Sequence, residues 1–120
     1  MKTQSAKAKG RRLQQKVVKM ILETFPHLST RDVRSTSMGN QGVDVQLSDA
    51  AHLVMPYSIE CKNVERNKGL TDMYLQAQAN TDSDDSTPLL VISCNNAPTL
   101  AILALKDLLT LRKDYEHTKS

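Results

Sequence analysis

The chain has 120 residues, of which 39% are hydrophobic and 24% charged, with a net charge of +3 and a pI near 9.0. This describes a single soluble globular domain, long enough to bury its own core without staples. No apolar run approaches the roughly 20 residues needed to cross a bilayer, and the basic start MKTQSAKAKGRR lacks the apolar stretch of a secretory signal.

Residues 1–9 read as a flexible basic arm ahead of a single domain over 10–120. From Gly10 to about Phe25, Leu13, Val17, Val18, Ile21 and Leu22 recur at three- and four-residue spacing, which predicts a helix with one apolar stripe. Pro26 stops it. Asp32 to Ser37 has mixed strand character, and residues 38–42 form a turn cluster. Val43, Val45 and Leu47 then alternate with Asp44 and Gln46, as in a half-buried strand. Ser48 is placed to cap a short helical turn over 49–53. Tyr57 to Lys62 reads as a second strand with Ser58, Glu60 and Lys62 on one face. Leu70 to Asn80 reads as a helix, residues 81–87 as a polar acidic loop, and Pro88 to Cys94 as a central strand covered on both faces. For Leu100 to Leu105 a strand is preferred, with a last helix from Lys106 to about Tyr115. The order predicts an α/β fold, a central mixed β-sheet flanked by helices.

Cys61 and Cys94 lie inside strand-like segments, form no CxxC pair and have no His at zinc-ligand spacing. They read as reduced cysteines packed as small hydrophobes, in keeping with a cytoplasmic protein. Seven cations and no acid fall within the first twenty residues. Two readings are open for this block: contacts with phosphates, or a solvated tail and helix face. With no Trp, three Tyr and one Phe, the chain is poorly equipped to stack single-stranded bases, so duplex or branched DNA fits it better.

The chemistry centres on Asp44, Glu60 and Lys62. Glu60 and Lys62, separated by one residue in a strand, share a face. If the Asp44 strand pairs alongside, its carboxylate meets that of Glu60, and two such groups repel unless a cation sits between them. Mg²⁺ accepts hard oxygen ligands and keeps several waters; Asp44, Glu60 and the carbonyl of Cys61 are its expected ligands, with Mn²⁺ expected to substitute. Lys62 would then orient or deprotonate a water, or offset charge on the phosphate. D…ExK alone occurs by chance in many chains, and a strand with a charged exposed face would also contain it.

The run from GRRLQQ through SxxMGxxGxDVxLSxxA, then PYSIECKN, then QAQAN, resembles the small phage and archaeal Holliday junction resolvases of the PD-(D/E)XK superfamily. It covers about residues 9 to 105, and Glu60-Cys61-Lys62-Asn63 is its most specific piece. The resemblance implies a restriction-endonuclease-like core, Mg²⁺-dependent endonuclease activity on branched DNA, and a homodimer. The first motif element departs from the pattern, reading Gly42-Val43-Asp44 in place of Pro-Asp. Where those resolvases carry a Glu four residues after a Gly, this chain has Gln14, which either ligates a metal or its water or faces solvent. The resemblance further points to a hydroxyl near the scissile phosphate, taken as Ser37 although Ser35 and Thr36 adjoin it. It also points to a Gln on the following helix, Gln78 in preference to Gln76. Lys7, Lys9, Arg11, Arg12, Arg34 and Lys68 are the candidate DNA contacts. His27, His52 and His117 read as surface residues. Three other readings remain: a restriction-, VRR- or repair-type nuclease on the same fold, a non-catalytic DNA-binding protein, and a partner-binding module.

Overall fold

The computed structural model describes residues 2–36, 42–64 and 69–119. Its first element, α1, is one helix over Lys2–Thr24. The helix therefore takes in the segment read from sequence as an arm. Ala6, Ala8, Gln4 and the lysines are good helix formers, and a Gly inside a helix costs only about 1 kcal/mol. Gly10 is too weak a signal to start the helix when the following turns bury Leu13, Val17 and Ile21. At the other end, Phe25 N–H closes the last turn onto Ile21 O at 2.9 Å, just before Pro26.

Among the described residues, five strands form one mixed sheet in the order β1-β2-β3-β4-β5. β1 (Val33–Ser35), β2 (Val45–Leu47) and β3 (Tyr57–Val64) are successively antiparallel, with Val33 opposite Leu47 and Val45 opposite Ile59. β3 and β4 (Thr87–Cys94) run parallel over their full lengths, Glu60 beside Leu90 and Lys62 beside Ile92. Between β2 and β3 lies α2 (Asp49–Val54), whose N-cap Ser48 accepts a hydrogen bond from Ala51 N–H. The same hydroxyl donates to Asp32 Oδ1 at 2.7 Å, which ties the cap to the turn before β1. α3 (Leu70–Ala79) makes the crossover that two parallel strands require. β5 (Leu100–Ile102) pairs antiparallel with β4 at the sheet edge, and α4 (Leu105–Lys119) follows it. α4 thus starts one residue earlier and runs four residues further than its apolar pattern indicated.

Strand alternation sorts the core into two faces. On one, Leu13, Val17 and Ile21 of α1 pack with Val33, Val45, Ile59 and Val91. On the other, Leu90 and Ile92 are buried where α3 crosses β4 and β3, and Ala77 is the buried residue of α3. Burying each such Val, Leu or Ile contributes about 1.5–3 kcal/mol, so both helices are fixed firmly against the sheet. α4 differs: Leu108, Leu109, Leu111 and Tyr115 are all exposed. No helix among the described residues is long and apolar enough to cross a membrane.

Candidate active site

Gly42 adopts φ +98°, a left-handed conformation that residues with a Cβ rarely take. It delivers the chain into the Asp44 position, where the backbone is held from both sides. Asp44 N–H donates to Ile59 O at 3.0 Å, and Thr36 N–H donates to Asp44 O at 2.8 Å. Val45 opposite Ile59 fixes the register. One residue back along that antiparallel ladder, Asp44 falls beside Glu60, and both turn to the α3 face. Asp44 Oδ2 accepts a hydrogen bond from Cys61 N–H at 2.8 Å, which pins the carboxylate to β3.

Glu60 is only 6% exposed. Burial pushes its carboxyl up to about 7, and the hydrogen bond and charge of Asp44 push in the same direction. Two groups oppose this: Asn80, whose Nδ2 donates to Glu60 Oε2 at 3.1 Å, and the Lys62 ammonium. Near neutral pH Glu60 is poised to hold a proton or to give it up to a cation seated against it and Asp44. The Cys61 thiol is raised to about 12 by burial and then by the charges of Asp44 and Glu60, so it stays protonated and unreactive, as the apolar reading of this cysteine implied.

The structure therefore brings together Asp44, Glu60, Cys61 and Lys62, with Lys62 half-buried two residues beyond Glu60 on the same strand. It places the other expected residues differently. Gln14 is buried, 6% exposed, beside Leu13 on α1, so the solvent-facing reading of this residue does not hold. Gln78 and Gln76 are exposed on α3, and the polar residue of that helix that reaches Glu60 is its C-cap, Asn80. Helical spacing carried the signal. Met73, Ala77 and Asn80 lie three and four residues apart on the inward side, and Gln78 falls off that stripe. Thr36 is buried with its Oγ1 donating to Val43 O at 2.6 Å, while Ser35 pairs with Val45 in the sheet. Ser37 and Lys68 lie outside the described residues. Lys7, Lys9, Arg11 and Arg12 are exposed on α1 and Arg34 on β1, His27 is exposed, and His52 is half-buried.

Among the described residues, no three or more His, Cys, Asp and Glu side chains gather as a metal site. The acidic centre is a pair. Its donors are hard oxygens whose mutual repulsion already appears in the raised Glu60 carboxyl, which is the chemistry a divalent cation with several waters relieves. Comparison with family models, with curated proteins and with solved structures finds no match for this chain.

Proposed function

We propose that the chain is a Mg²⁺-dependent DNA endonuclease with a restriction-endonuclease-like core, acting on branched DNA as a junction resolvase does. The observation that carries this reading is the half-buried Asp44 beside the buried Glu60, aligned by strand register, with Lys62 on the same face of β3. Asp44, Glu60 and the carbonyl of Cys61 would hold Mg²⁺, or Mn²⁺ in its place, and the ion would supply water activation and charge neutralisation at the phosphate. Asp44 is oriented for this by Cys61 N–H, and Glu60 by Asn80. Lys62 offers a cation, or on losing a proton a base, at the attacking water. A chain that only bound DNA would gain nothing from two carboxylates facing a phosphate.

Resolving a four-way junction needs two cuts related by its approximate two-fold axis, and each chain carries one such pair. A C2 homodimer supplies both. The exposed Leu100, Leu108, Leu109 and Leu111 of β5 and α4 support an interface there. Incubation of the protein with a labelled four-way junction and a matched linear duplex, in Mg²⁺ and in EDTA, tests the reading. Paired symmetric nicks in the junction alone, abolished by EDTA, are expected. Equal cutting of both substrates would move the assignment to another nuclease of the same chemistry, and no cutting of either DNA would sink it.

A further inference from the structure

The opposite face of the sheet carries a second polar feature, outside the carboxylate pair. A cleft of about 250 Å³ is lined by Lys9, Arg12, Leu13 and Lys16 of α1, Asn63 of β3, Ser93 of β4 and Asn95 just beyond it. Asn63 lies beside Ser93 in the parallel ladder. The cleft therefore sits where two parallel strands end at their carboxyl termini, the edge at which open α/β sheets receive ligands.

Its charge is one-sided. Lys9, Arg12 and Lys16 follow one another at three- and four-residue spacing along one flank of α1. Lys7 and Arg11, two residues to either side of Lys9, project about 160° round the helix from it and take no part in the lining. The other polar walls are two amides and a hydroxyl, and among the described residues no carboxylate lines the cleft. Among the described residues the ion pair within 4 Å is Lys106 with Asp107, so no such pair neutralises these three cations. Lys16 Nζ donates to Thr99 Oγ1 at 3.0 Å, which restrains its ammonium with a neutral partner. Seven residues of helix span about 10 Å, and phosphates recur at about 3.4 Å of axis along one DNA strand, so the three cations reach along more than one phosphate.

We infer that this cleft binds the phosphodiester backbone of DNA, as a site separate from the carboxylate pair. The identity of the ligand rests on the nuclease reading; the complementarity to an oxyanion does not. Asn63 directly follows Lys62, and neighbouring residues of a strand face opposite sides of the sheet. A DNA strand lying in the cleft would thus cross the end of β3 next to the lysine assigned to the chemistry, held by groups that take no part in it.

The experiment is fluorescence anisotropy of a labelled DNA duplex titrated with protein in EDTA, repeated over a range of salt concentrations. Arg12→Ala and Lys16→Ala are each expected to weaken binding roughly tenfold at low salt and to reduce the slope of log K against log salt by about one. Arg12→Lys keeps the charge and should keep the slope. Asn95→Asp puts a carboxylate in the cleft and should weaken binding at least as much as Lys16→Ala. Lys113→Ala on α4 removes an exposed cation elsewhere and should leave both quantities unchanged. Unchanged affinity and slope in Arg12→Ala and Lys16→Ala, with both folded by circular dichroism, would overturn the assignment, as would an equal loss in Lys113→Ala. Because EDTA prevents cleavage, the two readings fail separately. A nuclease whose binding ignores the cleft residues loses only the cleft, and a protein that binds through the cleft but cuts no DNA loses only the nuclease.

Discussion

β3 presents opposite chemistries on its two sides. Toward α3 it carries Glu60, buried against Asp44 and Asn80, in surroundings dry enough to raise a carboxyl to about 7. Toward α1 it carries Cys61, packed against the main core, and then Asn63 at the rim of an open, basic cleft. On the proposed function, the difference follows from what each side would have to attract. Two carboxylates repel a phosphate and tolerate its approach only with a cation between them. On the proposed function, affinity for a polyanion would have to come from elsewhere, and α1 offers a cationic flank that bears no acid before Glu23. Strand alternation lets one short segment serve both sides without the opposite charges cancelling.

The sharpest way to break this division is to neutralise the acidic side. Asp44→Asn or Glu60→Gln should abolish Mg²⁺-dependent cleavage while leaving DNA binding intact or tighter, because each removes repulsion toward phosphate. Cleavage and anisotropy measured on the same preparations check this, and wild-type cutting by either variant would remove the carboxylate pair from the mechanism. Lys62→Ala comes next. A loss of roughly 10² in rate is expected for a general base or a group offsetting transition-state charge, with Mg²⁺ binding by calorimetry little changed. If Lys62→Ala instead unfolds the protein while activity per folded molecule persists, the lysine is structural.

Most of the sheet was readable before the structure, because its signals are local. The alternation around Asp44, that of Ser58, Glu60 and Lys62, and the apolar run 88–94 each place a strand without reference to the rest of the chain. The pairing of Asp44 with Glu60 was readable as a possibility, since it requires only adjacent antiparallel strands. Four things were not readable. The start of α1 is one, because Gly10 carries the local mark of a boundary, whereas tertiary packing further along sustains the helix through it. Gln14 gave no sign of burial, since a Gln beside an apolar stripe fits a solvent face equally well until the packing partner is known. Asn80 is masked by two nearby glutamines that match the residue type the resemblance implies, although the inward spacing of α3 favours Asn80. The basic cleft needs three elements distant in sequence, α1 and the ends of β3 and β4, and no local pattern announces it.

Asn80 allows a finer test of the acidic side. Asn80→Ala removes a hydrogen bond that stabilises the charged form of Glu60, so the carboxyl should rise further. The cleavage rate against pH should move to higher pH, with a loss of roughly tenfold near neutrality, in line with a buried hydrogen bond to a charged group. Asn80→Asp should do worse by adding a third carboxylate, and Gln78→Ala, on the exposed side, should match wild type. Equal effects of Asn80→Ala and Gln78→Ala would mean that α3 matters only through its fold.

The smallest expected effect is on stability, and its sign separates the two sides without any DNA. Glu60 has an ordinary value of 4.5 when exposed and about 7 in the folded protein. Between these values the folded state holds a proton that the unfolded state has released. Stability therefore falls as pH rises through this window, and the contribution present below 4.5 is lost once pH passes about 7. In metal-free buffer the melting temperature should drop by a few degrees between pH 5 and pH 8, given that about 1 kcal/mol moves a domain of this size by several degrees. Glu60→Gln, which cannot ionise, should flatten that part of the curve, whereas Arg12→Ala in the basic cleft should leave its shape unchanged. Mg²⁺ should reverse the trend, raising the melting temperature more at pH 8 than at pH 5, because ligation requires the carboxylate form. A wild-type curve that rises from pH 5 to pH 8 without metal, or a Glu60→Gln curve of the same shape as wild type, would show that Glu60 is not the dry, proton-holding carboxyl described beside Asp44.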